Sequence, residues 1–154
     1  MIQPQLIRQY QKSEYVDEIN ERITNIGEYN GSKYKLVETF ETTPTEHTYP
    51  NTAYIVSDQW GSFDLLTGAD GGSFFVSISA VKMFNNKIYI IGNNGAMGDG
   101  GSVETQFGYL NLDDNKYVNL AYCYEARFAG SRIIYDQQDA NENYVRKTKT
   151  YYLK

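Results

Sequence analysis

From Lys33 to the C-terminus the chain is cut into short runs, and the cuts are made by Gly, Asn and Asp. Tyr34–Glu41, Thr52–Ser57, Ser62–Leu66, Ser73–Phe84 and Lys87–Ile91 carry the apolar alternation or clustering of strands. Thr105–Leu112, Lys116–Tyr124, Arg127–Tyr135 and Asn143–Leu153 continue the pattern. Asp58-Gln59-Trp60-Gly61, Gly68-Ala69-Asp70-Gly71-Gly72, Asp113-Asp114-Asn115 and Asp136–Glu142 supply the turns between them. Asn85-Asn86 has the length and chemistry of a two-residue hairpin loop, because Asn tolerates the left-handed backbone that a primed turn needs. No helical pattern separates one run from the next. Consecutive strands without crossover helices pair antiparallel, so the expectation is a meander and not a doubly wound α/β sheet.

The first 27 residues read differently. Leu6, Tyr10, Val16, Ile19, Ile23 and Ile26 recur mostly at three- and four-residue spacings, with polar side chains between them. That is the signature of an amphipathic helix. Ser13 is a candidate cap and Gly27 a stop, so the spacing predicts a helix over 14–26, with an extension back toward residue 5 beyond Pro4. The fold class expected is therefore α+β. A single domain, 1–154, would pack a helical N-terminal segment (1–27) on a mostly antiparallel, Tyr-rich β-sheet (33–154), a meander that could close toward a barrel. The expected core is Val16, Ile19, Ile23, Leu36, Ile55, Phe75, Ile78, Ile88, Ile90, Leu110, Leu112, Val118, Leu120, Ile133 and Val145.

Fifteen Tyr residues stand against seven Phe and one Trp. Tyr suits a half-buried pleat, with its ring inside and its hydroxyl reaching water or a partner, and it is also enriched at interfaces. One segment resembles a propeller blade of the Kelch type: Ile88-Tyr89-Ile90-Ile91-Gly92, then Tyr109-Leu110-Asn111-Leu112-Asp113, Asn115-Lys116-Tyr117 and Leu120-Ala121. Gly92-Asn93 stands where that family has a Gly-Gly doublet, and Tyr117 where it has Trp. The chain holds no second copy, whereas a propeller needs about four or more blades. The resemblance is read as shared hairpin chemistry, and it assigns no family.

Familiar catalytic chemistry is scarce. The only imidazole is His47, in a Thr- and Pro-rich loop, and the only thiol is Cys123, between Tyr122 and Tyr124 in a strand pattern. A solvated His and a small buried hydrophobe are the simple readings, and no Gly-x-Ser-x-Gly elbow raises a serine hydrolase. One Cys excludes a disulfide framework within the chain, and one Cys with one His excludes a Cys/His zinc cluster. Asp113-Asp114-Asn115 and Asp136, Asp139 and Glu142 offer oxygen ligands, but neither matches a calcium-loop register, so no metal and no cofactor is expected. The glycine-rich Gly92–Gly101 stretch lacks the Lys-Ser/Thr end of a phosphate loop and is read as a long flexible loop, of the kind that can carry function. No apolar run reaches the ~18 residues of a membrane span, and the start lacks the pattern of a signal peptide. The expected setting is the cytoplasm.

Charge is the stronger functional signal. Residues 36–115 hold ten acids and two bases, a net −8 in a chain whose total is −5. Phosphate backbones demand positive grooves, so direct nucleic-acid binding is disfavoured. An acidic face steers a protein onto a basic partner. The leading reading is a non-catalytic, acidic protein-binding module, an inhibitor or immunity-type protein that blocks a basic macromolecule. Its expected partner-binding residues are Trp60, Asp64, Asp70, Asp99 and Glu104. A small-ligand-binding β-barrel is the second reading and a carboxylate-based hydrolase the third.

Overall fold

The computed structural model describes residues 5–10 (backbone), 18–45, 47–66, 75–95, 103–139, 143 and 145–154. All regular structure among them is strand, arranged in three antiparallel sheets. The chain divides into two compact units, Met1–Phe74 and Phe75–Lys154. The expected α+β class is therefore corrected to all-β, and among the described residues no sheet closes into a barrel.

Unit 1 is one five-stranded meander, sheet A, made of β1 (Gln5–Tyr10), β2 (Glu18–Tyr29), β3 (Ser32–Thr42), β4 (Thr48–Ser57) and β5 (Gly61–Asp64). The segment expected to be a helix over 14–26 is in its described part strand β2, paired with β1 on one side and with β3 on the other. Two causes decide this. A four-residue spacing such as Ile19 to Ile23 is one helical turn, but it is also two repeats of a strand. Asn30-Gly31 then closes β2 onto β3 as a two-residue loop, with both residues at positive φ (51° and 81°). That pairing of angles defines the hairpin turn for which Asn-Gly is the preferred sequence. The β-branched Ile19, Ile23, Thr24 and Ile26 suit the pleat that results.

Alternation along sheet A is sharp. Ser32, Tyr34, Leu36 and Glu38 of β3 are buried, as are Ala53, Ile55 and Ser57 of β4 and Phe63 of β5. Lys33 and Lys35, between them in sequence, are exposed. A β-bulge at Asn25/Gly27 and a register shift at Thr39/Phe40 bend the long hairpin.

Unit 2 contains two sheets. Sheet B is the meander of β6 (Ser77–Phe84), β7 (Lys87–Asn93), β8 (Thr105–Asn111) and β9 (Lys116–Cys123). Sheet C is β10 (Glu125–Ala129), β11 (Arg132–Asp139) and β12 (Val145–Tyr152). Asn85-Asn86 forms the expected two-residue loop, with Asn85 at φ 54°. The run expected as one strand, Arg127–Tyr135, is two: Gly130-Ser131 turns the chain within it, with Gly130 at φ 62°.

One face of sheet B packs on one face of sheet C. Their shared core is Tyr89, Ile91, Phe107, Cys123, Ile133 and Leu153. Its rings meet edge-on or tilted: Phe107 lies 5.0 Å from Tyr135, and Tyr89 lies 5.5 Å from Tyr109 and 6.1 Å from Tyr151. Such pairs contribute about 0.5–1.5 kcal/mol each beyond the area they bury. The buried Tyr89 hydroxyl is satisfied, accepting from the Lys154 N–H and donating to the Lys154 carbonyl oxygen, both at 3.1 Å. On the other face of sheet B, Phe75 lies over Gly92 and Tyr117 over Gly108, where a Cβ on either glycine would collide with the ring.

Of the expected core, Leu36, Ile55, Phe75, Ile88, Ile90, Leu110, Leu112 and Ile133 are buried. Ile19, Ile23, Ile78 and Leu120 are half-buried. Val118 and Val145 are exposed, at 39% and 54%, because each stands on a strand at the edge of its sheet. Val16 lies outside the described residues.

Candidate functional site

The less buried face of sheet A gathers side chains that were scattered in sequence. The register sets Ile23 opposite Val37 and Val37 opposite Tyr54, with Asp64 completing the row. The next row is Glu21, Thr39 and Thr52, and the one after it Ile19, Glu41 and Tyr49. Thr39 and Thr52 share a hydroxyl–hydroxyl bond of 2.6 Å across the strands. Strand geometry thus places an apolar row, Ile23–Val37–Tyr54, between Lys35 in the row on one side and Glu21 and then Glu41 in the rows on the other, with Asp64 at its end. Tyr49, 52% exposed, adds an aromatic ring at the margin.

The buried face of the same sheet carries an ion pair. Glu38 is 5% exposed, and its Oε1 receives Arg22 Nη2 at 3.1 Å and Nε at 3.3 Å. The guanidinium also lies over the Phe40 ring, 4.6 Å from its centroid. Burial pushes the Glu38 carboxyl above its ordinary value, and Arg22, by charge and hydrogen bond, recovers only part of that shift.

Two of the five expected partner-binding residues, Asp70 and Asp99, lie outside the described residues. Trp60 sits half-buried in the turn between β4 and β5. Its indole N–H donates to Tyr34 Oη at 3.2 Å, and the two rings are tilted with centroids 6.3 Å apart. Trp60 thereby belongs to the Tyr34 side of sheet A. Asp64 pairs with Tyr54 on the opposite side, and its Oδ1 accepts the Leu66 N–H at 2.9 Å. Glu104 is in unit 2, half-buried, and its carbonyl oxygen accepts the Asn94 N–H at 2.7 Å. Of the expected set, the described structure thus holds Trp60 and Asp64 in one unit but on different faces. Glu21, Glu41 and Tyr54 share the face of Asp64; the alternation of Ile19, Glu21 and Ile23 is the sequence signal for Glu21, and the helical reading hides it.

The nucleophile inventory is equally specific. Cys123 is wholly buried, and burial, reinforced by the Asp136 carboxylate, pushes its thiol up to about 12. A thiol so placed holds its proton. His47 lies exposed in the turn joining β3 to β4, its ring edge-on to Tyr49 at 6.2 Å. Among the described residues no group of three or more His, Cys, Asp or Glu could hold a metal ion. No helix among them is long and apolar enough to cross a membrane. No family model matches the chain, and neither a curated protein nor a solved structure shows significant similarity to it.

Proposed function

We propose that the protein is a non-catalytic, acidic protein-binding module, and that a partner with a basic surface docks on the less buried face of sheet A. The observation that carries this reading is the Ile23–Val37–Tyr54 row with Asp64 at its end and Glu21 and Glu41 in the two rows on one side of it, against the single base Lys35 in the row on the other. Unit 1 as a whole holds eleven acids against five bases, while unit 2 holds eight against nine. Interfaces divide labour in this way: an apolar and aromatic centre sets the dissociation rate, and surrounding charge sets the association rate. Steering needs only the charge, so internal hydrogen bonds such as Asp64 to Leu66 do not weaken the argument. Blocking a basic surface in the manner of an inhibitor or immunity protein is the mode of action this arrangement suits.

The test is kinetic. A protein captured from the host should be titrated against wild type, against the combined Glu21→Lys, Glu41→Lys and Asp64→Lys variant, and against Tyr54→Ala. Charge reversal should slow association by about tenfold or more and flatten its salt dependence. Tyr54→Ala should speed dissociation by about tenfold or more while leaving association unchanged. Unchanged kinetics in both variants, with folding intact by circular dichroism, would rule this face out.

A further inference from the structure

An open sheet ends in two strands that each turn unpaired backbone groups outward, and chains join there unless the edge is short or bulged. Among the described residues, five of the six edge strands are blunted in one of these ways. β1, β6 and β9 each carry a bulge, at Ile7, Ser79 and Leu120, while β5 is four residues long and β10 five. β12 is the exception. Its eight residues pair with β11 in unbroken register, and no strand lies on its other side.

Two bonds fix which backbone groups face that open side. The Leu153 N–H donates to the Ser131 carbonyl oxygen at 2.9 Å, and the Asp136 carbonyl oxygen, opposite Thr148, accepts instead from the Tyr124 N–H at 2.9 Å. Alternation then turns the N–H and C=O of Lys147, Lys149 and Tyr151 toward β11, and those of Arg146, Thr148, Thr150 and Tyr152 outward. The side chains of Thr148, Thr150 and Tyr152 are exposed, Tyr152 at 63%.

Charge decides what can pair there. Lysine usually guards an edge strand. Here Lys147 is held by Asp139 at 3.9 Å and Lys149 by Gln137 Oε1 at 2.8 Å, so both lie along sheet C and mark the register of any strand laid beside it. A second β12, antiparallel and with Thr148 opposite Thr148, would set Lys147 against Lys149. With the centre at Lys149, that lysine would meet its own copy. Centred on Thr150, the strands bring Lys149 to Tyr151, Lys147 to Leu153 and Thr148 to Tyr152, and the lysines never face one another. The remaining like-charged pair, Arg146 with Lys154, falls at the ends of the ladder, where Asp136 already compensates Arg146 at 3.3 Å.

We propose that two copies of this chain associate through β12, in an antiparallel pairing whose two-fold axis passes between their Thr150 residues, so that sheet C of each copy continues into the other. Thr148, Thr150 and Tyr152 of the two strands exchange about six backbone hydrogen bonds. The Thr150 hydroxyls meet across the axis, and each Tyr152 ring packs beside Thr148 of the second copy. The contact is smaller than the ~1,200 Å² of stable complexes, so the association is weak, with a Kd of about 10⁻⁴ M. It uses unit 2 alone and stands or falls independently of the face proposed on sheet A.

Sedimentation of the full chain between about 10 µM and 1 mM should show its mass rising from monomer toward dimer. Thr150→Lys and Thr150→Glu each set like charges across the axis and should weaken association about tenfold or more, while an equimolar mixture of the two should restore it. Under a mild oxidant, Thr150→Cys should form a disulfide-linked dimer about tenfold faster than Thr148→Cys, or faster still. The pairing sets the two Thr150 Cα atoms about 5.5 Å apart and the two Thr148 Cα atoms about 13 Å or more apart. The native Cys123 is buried and does not compete. Thr148 and Thr150 are both exposed, so the folds should survive, as circular dichroism would confirm; the cysteine pair decides alone if a charged variant does not fold. The proposal is overturned if the wild type stays monomeric throughout, or if either charged variant, folded, associates like wild type. It is equally overturned if the mixture of charged variants fails to associate, or if the two cysteine variants cross-link at the same rate.

Discussion

Glu38 and Cys123 show how far burial alone sets the chemistry of a side chain. The folded-state pKa of Glu38 lies above its ordinary value of 4.5, so the folded protein holds this proton more tightly than the unfolded chain does. The sign follows: above the raised pKa the charged carboxylate weakens the fold, and that penalty disappears as pH falls through the raised value toward 4.5. Thermal melts should therefore show a contribution from Glu38 that favours the fold as pH drops from neutral through that window. Glu38→Gln should remove it, and identical pH profiles for the two proteins would contradict this account. For Cys123, a pKa of about 12 leaves about one thiol in ten thousand ionised at pH 8. The native protein should resist a thiol reagent at that pH and react on unfolding in denaturant; rapid native labelling would show the site to be open. The sequence alone already indicated a buried Cys123, because a small hydrophobe fits between two strand tyrosines. Strand parity puts Glu38 on the face of the expected core residue Leu36 and Glu41 on the other, but a carboxylate is not expected at a core position, and the Arg22 that accompanies it comes from β2.

At the scale of the element, β2 is the instructive case. Its residues satisfy a helical period and a strand period together, and only the Asn30-Gly31 turn and the partner strand β3 separate the two. A strand makes Ile23 and Val37 direct cross-strand neighbours, whereas a helix packed on the sheet sets no such pair. A double-mutant cycle with Ile23→Ala and Val37→Ala should return a coupling of about 0.2–1 kcal/mol. Strict additivity within error would remove the register as drawn. The other turns were easier to read. Asn85-Asn86 separates two clear apolar runs, while Gly130-Ser131, also a hairpin dipeptide, separates runs short enough to read as one strand.

For the molecule as a whole, the consequence is an all-β protein whose charge is divided unevenly between its units, with net −6 on unit 1 and +1 on unit 2. The candidate interface belongs to the more acidic unit. A far-UV circular dichroism spectrum should have the shape of a strand protein, without the double minimum of helix. A clear helical signature would restore the α+β architecture and dissolve the row of Ile23, Val37 and Tyr54 with it.

What the sequence by itself determined is local: antiparallel pairing of neighbouring strands, most turn positions, and the acid-rich middle of the chain. These follow from turn residues, alternation and composition, which act over a few residues. The tertiary structure alone decided which of two compatible periods Glu18–Tyr29 adopts, and which face of each strand is covered. Tyr89 shows the reason. No local rule puts a tyrosine at zero exposure, yet its hydroxyl meets Lys154, 65 residues away, and its ring meets Tyr109 and Tyr151. Burial is a property of the partner that arrives, and the partners here arrive from distant strands.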